Sequence, residues 1–301
     1  MKQSTIDGGI KLTTFHLPQA GFDPLRTGTE GFKRFGLPAV PEEPHLRERY
    51  QRVFKQVKHK LAFIAPELKV DEGIKFSGVK PATGNPPLLS SGFSGGLALA
   101  PAGESFKWIQ GDWVIPNLDA PVLETLSHAR VTLGINNFFS GIHCQVIRHW
   151  NSISRVTLPF IQFSSGPEML MTNFGVSPGD MITSVLCTPQ GRGATEATMF
   201  FLNRTTGVGA SVGLTVSPSS LVSDEALWVV EAPQINLVTQ PLADFGEVFF
   251  SECEAVTTGN TIVNGGSGFS LNMEVPNVGI VATGNLISPT VIQSLYQGPL
   301  G

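Results

Sequence analysis

The chain has 301 residues, of which 33 are Gly, 22 are Pro and only 15% are charged. That length suffices for one large domain with a sizeable core, and the unperiodic Gly and Pro favour a turn-rich β protein over a helical bundle or a disordered chain. The net charge of −4 hides a division: residues 1–80 carry 14 Lys and Arg against 9 Asp and Glu, whereas residues 81–301 carry 6 against 15. An acidic body makes nucleic acid an unsuitable partner.

Three cysteines, Cys144, Cys187 and Cys253, are too few for a disulfide framework, and no Cys-x-x-Cys zinc pattern occurs. No apolar run reaches membrane-spanning length, and the N-terminus Met1-Lys2-Gln3-Ser4 lacks an apolar signal core. The sequence as given therefore implies a cytoplasmic chain with no membrane partner.

Residues 1–41 are irregular, with Phe15, Phe22, Phe32 and Phe35 as scattered anchors. From 42 to 64 the pattern turns helical. Pro44 suits a first turn, and Leu46, Tyr50, Val53, Phe54, Val57, Leu61 and Phe63 form an apolar stripe opposite Arg and Lys residues. Residues 65–90 have the composition of a linker. The expected organisation is a basic extension over 1–84 and a β-sandwich domain over 85–301. In that second part short strands recur, split by Gly, Pro, Asn and Asp every 8–15 residues, as in an antiparallel sandwich.

Several local patterns carry possible chemistry. Gly92-Phe93-Ser94-Gly95-Gly96 matches a Gly-x-Ser-x-Gly nucleophile elbow, but the elbow needs a strand before the Ser and a helix after it, and here a strand-like run follows. His143 and His149 share one face of a strand from which Cys144 points away, and no third metal ligand offers itself. A Glu-x-Asp-x-x-Glu glucanase signature is absent. Asn203-Arg204-Thr205 fits a glycosylation acceptor and equally a turn. The stretch Ala226-Leu227-Trp228-Val229-Val230-Glu231 forms an apolar strand ending in a carboxylate. That Glu is either a solvated strand end or a buried group whose pKa is raised for acid–base work.

Residues 91–256 resemble the glutamic peptidases, or eqolisins. The stretches that carry the resemblance are Phe93-Ser94-Gly95-Gly96-Leu97-Ala98, Trp113-Val114-Ile115-Pro116, Gly134-Ile135-Asn136, Val176-Ser177-Pro178-Gly179-Asp180, Asn203-Arg204-Thr205-Thr206-Gly207 and Trp228-Val229-Val230-Glu231. The resemblance implies an all-β, concanavalin A-like or jelly-roll sandwich of two antiparallel sheets. It also implies an acid endopeptidase acting on polypeptide substrate as a monomer, without metal or cofactor, in a family that is typically secreted.

By position, the family's Gln–Glu dyad falls on Gln145 and Glu231. Glu231 would take a proton from the attacking water, and the Gln145 amide would donate to the developing oxyanion. Phe93, Asn136, Phe160 and Gln162 would line the substrate groove, with Phe93, Asn136 and Gln162 standing where the family has Trp, Asp and Glu. The basic extension is similar to a propeptide. The rival reading is a non-catalytic, lectin-like sandwich with Phe93, Trp150, Phe160 and Phe163 as stacking platforms.

Overall fold

A computed structural model describes residues 2–6, 9–19, 22–26, 33–38, 44–55, 61–75, 87–164, 166–217, 224–235 and 238–298. The N-terminal part supplies β1 (Lys2–Ile6), β2 (Ile10–Thr14), helix α1 (Pro44–Lys55), β3 (Ala62–Ile64), β4 (Leu68–Asp71) and β5 (Ile74–Lys75). There follow β6 (Leu88–Ser90), β7 (Phe93–Leu99), β8 (Phe106–Val114), β9 (Ser127–Ile135), β10 (Phe138–Arg148), β11 (Ile153–Phe163) and β12 (Glu168–Met171). Next come β13 (Met181–Cys187), β14 (Glu196–Asn203), β15 (Val208–Thr215), β16 (Glu225–Glu231), β17 (Gln234–Ile235) and β18 (Val238–Thr239). The chain closes with β19 (Glu247–Thr257), β20 (Ile262–Asn264), β21 (Phe269–Val275), β22 (Gly279–Ser288) and β23 (Val291–Tyr296).

These strands make an all-β sandwich. The front layer runs β12-β11-β10-β9-β16-β7-β21, and the back layer runs β23-β19-β8-β13-β14-β15-β2; β22 pairs with both β21 and β23 and so joins the layers. Pairing is antiparallel apart from the short parallel pairs β3–β15 and β6–β21. Strand alternation then divides the side chains among three clusters. Between the layers lie Val131, Leu133, Ile142, Cys144, Trp228 and Val230 from the front with Ile109, Trp113, Ile182 and Phe201 from the back. The Trp228 indole N–H, buried with them, donates to the Gln110 carbonyl at 2.8 Å. A second cluster, Phe93, Leu97, Phe139, Phe160, Leu170, Leu227, Val229 and Leu271, covers the outer face of the front layer. The third joins Tyr50, Val53 and Phe54 of α1 to Val185, Phe200 and Leu202 on the outside of the back layer.

The expected helix over 42–64 is shorter: α1 ends at Lys55, and Ala62–Ile64 is already a strand beside β15. Val57 lies outside the described residues. The region expected as a linker contains β4 and β5 as well as β6, because its alternating Leu68-Lys69-Val70-Asp71 suits an edge strand, and it pairs with β12. Arg52 on α1 reaches Glu252 at 3.0 Å and Glu254 at 3.8 Å, so basic extension and acidic body meet through ion pairs. The Gly-x-Ser-x-Gly pattern lies within β7, where the buried Ser94 hydroxyl bonds that of Ser294. Asn203 is a turn residue, its side chain accepting from the backbone N–H of Thr205 (3.0 Å) and Thr206 (3.1 Å).

Gly141 in β10 tests this packing. A Cβ there would overlap the Val131 carbonyl oxygen and press to 2.9 Å from the Phe160 ring. Gly141→Ala is expected to lower stability by about 3 kcal/mol in chemical denaturation. Phe160→Leu in the same chain should not restore it, because the tighter overlap is with backbone.

Candidate active site

Four neighbouring strands bring charged side chains to the apolar outer face of the front layer. In register, Gln145 of β10 stands opposite His128 of β9, and His143 stands opposite Arg130. On the other side of β9, Arg130 stands opposite Glu231 of β16, which in turn faces Phe93 of β7. Opposed residues in a ladder point to the same face, so Gln145, His143, His128, Arg130, Glu231 and Phe93 share one surface. The His128 N–H donates to the Pro241 carbonyl, and its own carbonyl accepts from the Ala243 N–H, both at 2.8–2.9 Å. These backbone groups point away from β10. His128–Gln145 and Arg130–His143 are therefore close, non-hydrogen-bonded pairs, with Cα atoms about 4.5 Å apart.

The side chains form one continuous chain of polar contacts. His128 Nδ1 lies 3.0 Å from His143 Nε2. His143 Nδ1 lies 2.9 Å from Glu168 Oε2. Arg130 follows: its Nε is 3.2 Å from Glu168 Oε1, its Nη1 is 3.2 Å from Glu231 Oε2, and its Nη2 donates to Gln162 Oε1 at 2.8 Å. The guanidinium lies over the Phe160 ring, 3.9 Å from the centroid. Arg130, Glu168 and Glu231 have 0% side-chain exposure. One cation thus serves two carboxylates in an apolar setting, an arrangement that works only when each charge keeps its partner.

The electrostatics follow from burial. Burial, and then the neighbouring His143, lower His128 to a pKa of about 4, so its ring is neutral near pH 7. Burial alone would raise Glu168, but His143 and Arg130 outweigh it and hold this carboxyl below its ordinary value. Glu168 is therefore a hydrogen-bond acceptor only.

The N-terminal part closes over this face. β4 pairs with β12 at the edge of the front layer, the chain turns at residues 72–73, and β5 pairs with β17 just beyond the end of β16. Within the second anchorage Ile74 is buried, and its carbonyl accepts from Gln162 Nε2 at 3.2 Å, a group that also donates to Gly166 at 2.7 Å.

Of the residues singled out in the sequence, Glu231, Phe93, Phe160 and Gln162 come together around Arg130. Gln145 shares their face and is half-buried, two strands from Glu231 and offset by one residue pair; strand spacing puts the two Cα atoms on the order of 10 Å apart. Asn136 stands apart from them. It occupies the β9–β10 turn, where Asn136 and Asn137 have φ of 50° and 67°, the conformation a two-residue hairpin requires. Its amide donates to Thr188 Oγ1 at 2.7 Å and to the Phe106 carbonyl, towards the back layer rather than the groove. Of the stacking platforms of the lectin-like reading, Phe93 and Phe160 are fully buried, Phe163 is half-buried, and Trp150, at 82%, is exposed. Sequence reasoning missed His128, Arg130 and Glu168. The available signal was a charged residue inside the apolar run Ala129-Arg130-Val131-Thr132-Leu133. Among the described residues no cluster suited to a metal ion occurs.

Two outcomes are expected. Arg130→Met removes the cation between Glu168 and Glu231 and should cost about 3–5 kcal/mol of stability, read from the denaturant midpoint. Adding Glu231→Gln should recover part of that loss. The second concerns pH. Because the folded-state pKa of His128 lies below its ordinary 6.5, its contribution is complete above pH 6.5 and is lost as pH falls towards about 4, on the order of 3 kcal/mol. The lowered Glu168 acts in the same direction below the usual carboxylate range. Thermal unfolding across pH 7 to 4 should show the decline, and His128→Gln should flatten it.

The model of the Peptidase A4 family matches residues 91–291. No curated protein matches the sequence at a significant level. Among solved structures, the chain is similar to scytalido-glutamic peptidase with a transition state analog inhibitor (TM-score 0.55, 16% identity), over 68% of this chain and 98% of that one. A second structure of that enzyme, with a peptide-based transition state analog, gives a TM-score of 0.51 at the same identity and coverage. SCP-B, an eqolisin in complex with the tripeptide Ala-Ile-His, gives 0.50 at 15% identity, again over 68% and 98%. These likenesses show the fold, and the family match over residues 91–291 carries the assignment: the chain belongs to the Peptidase A4 family, the eqolisins.

Proposed function

We propose that this protein is an acid endopeptidase that hydrolyses peptide bonds with an activated water, using Glu231 and Gln145. The observation that carries the reading is the Glu231 carboxylate, built into the groove face at the end of β16, with Gln145 on the same face across β9. Family membership supports the reaction class. A scissile peptide lying over β9 bridges the spacing between the two residues. On one side Glu231 takes a proton from the attacking water and returns it to the leaving nitrogen; on the other, the Gln145 amide donates to the oxyanion. Phe93 and Phe160 are apolar groove lining, and Gln162 fixes Arg130. Extended polypeptide is the substrate, and no cofactor takes part.

Glu231 has no exposed surface, so turnover requires the groove face to open, and the β4–β5 segment, held to that face by the Ile74–Gln162 hydrogen bond, is the part we assign to move. We therefore assign residues 1–84 a propeptide-like role over the peptidase-like domain 85–301. Its attachment to the body includes the ion pairs of Arg52 with Glu252 and Glu254, which join a basic segment to an acidic domain.

The test is cleavage of a denatured protein by the full chain at pH 2–4. The wild type should cleave, should resist pepstatin-type inhibition, and should lose the N-terminal segment from its body during acid incubation. Glu231→Gln and Gln145→Ala should each lose about 100-fold or more in rate. Absence of cleavage throughout that range, or an undiminished rate in Glu231→Gln, would refute the proposal.

A further inference from the structure

The polar chain on the groove face ends at an atom that the dyad does not use. His128 is fully buried, its Nδ1 is committed to His143, and among the described residues nothing hydrogen-bonds its Nε2. The state of that Nε2 follows from counting hydrogens. Glu168, as a carboxylate, accepts, so His143 Nδ1 carries a hydrogen. When the histidine pair holds no extra proton, His143 Nε2 is a lone pair, His128 Nδ1 carries the hydrogen between the rings, and His128 Nε2 is a bare acceptor. One added proton has two possible homes. On His143 it makes Nε2–H a donor to His128 Nδ1, and the neutral His128 ring must then carry its hydrogen on Nε2. On His128 it makes both nitrogens N–H. Either way, a single protonation of the pair turns His128 Nε2 from acceptor into donor.

Gln145 is the neighbour placed to respond. It stands opposite His128 in a close, non-hydrogen-bonded pair, with no strand between them. The other charged groups facing the histidine pair are Arg130 of β9, Glu168 of β12 and Glu231 of β16. Beyond them, Asp71 and Lys69 of β4 stand opposite Glu168 and Leu170. Residues 241–243, which flank His128, and Val156 and Leu158 of β11 bring no titratable group.

We propose that His128 is a positioning residue for the Gln145 amide, and that protonation of the His128–His143 pair decides which end of that amide His128 Nε2 can engage. His128 Nε2 has no partner among the described residues in this conformation, so the Gln145 side chain must turn to meet it; in the unprotonated pair Nε2 then accepts from the Gln145 NH₂ and withholds that donor from substrate. In the protonated pair, His128 Nε2–H donates to Gln145 Oε1, and both amide hydrogens of Gln145 are free for an oxyanion. The proton comes from solvent and no bond between heavy atoms changes. The catalytic value of this device rests on the reading of Gln145 as oxyanion donor; the change at His128 Nε2 from acceptor to donor does not.

The experiment is NMR on the full chain labelled with ¹⁵N in histidine and glutamine side chains, with Gln145 assigned from its absence in Gln145→Ala. At neutral pH His128 should be the Nδ1–H tautomer. On acidification His128 Nε2 should gain a hydrogen, and the Gln145 amide signals should shift in the same step. In activity assays His128→Gln should lower kcat about tenfold near the acid optimum, with KM within twofold, and should remove the step from the pH profile. A hydrogen on His128 Nε2 already at neutral pH, or Gln145 signals that do not follow the step, would overturn the proposal. Full acid-pH activity in Gln145→Ala would refute the catalytic role of Gln145 and leave the NMR coupling as a separate result.

Discussion

The front face of this protein depends on one buried guanidinium. Arg130 contacts Glu168, Glu231 and Gln162 and lies on the Phe160 ring, and none of these groups has access to bulk water in this conformation. Desolvating a carboxylate costs several kcal/mol, and such a cost is offset only by close, well-placed countercharge. The neighbours of Arg130 are arranged accordingly. Gly141 leaves room for the Phe160 ring, Gln162 ties one nitrogen, and His143 shares Glu168, so the carboxylate that serves Arg130 also orients the histidine pair.

The same constraint explains the place of the N-terminal part. A site holding this many charges is stable when closed, and the closure is made by β4, the Ile74 carbonyl and the β5–β17 pairing. The extension is therefore joined to the sandwich at both of its outer surfaces. α1 packs on the back layer, and the strand segment crosses the front layer beside the charged cluster. Acid acts on the groove in one direction, through His128 and Glu168. Under the proposed function, these couplings loosen the groove as pH falls.

Much of this was legible in the sequence because strands write their burial into alternation. The apolar run ending at Glu231, the split of His143 and Cys144 to opposite faces, and the turn residues around Asn203 all follow from a period of two. The propensity-based helix overran into β3 because the apolar stripe continues through Leu61 and Phe63, whose partners are in the back layer rather than on a helix face. The charged cluster was harder to see. His128, Arg130 and Glu168 are separated by 40 residues or fewer, yet only the β9–β10–β11–β12 register sets them side by side. Asn136 misled because a turn asparagine and a groove asparagine look alike until the backbone φ is known.

The most direct test of the central claim is a crystal structure of the full chain, acidified and bound to a tetrahedral peptide analogue. The account predicts the analogue lying over β9, its hydroxyls within hydrogen-bond reach of Glu231 and Gln145, and the β4–β5 segment displaced from Gln162. An analogue bound elsewhere, with Glu231 still buried against Arg130 and Ile74 still bonded to Gln162, would contradict it.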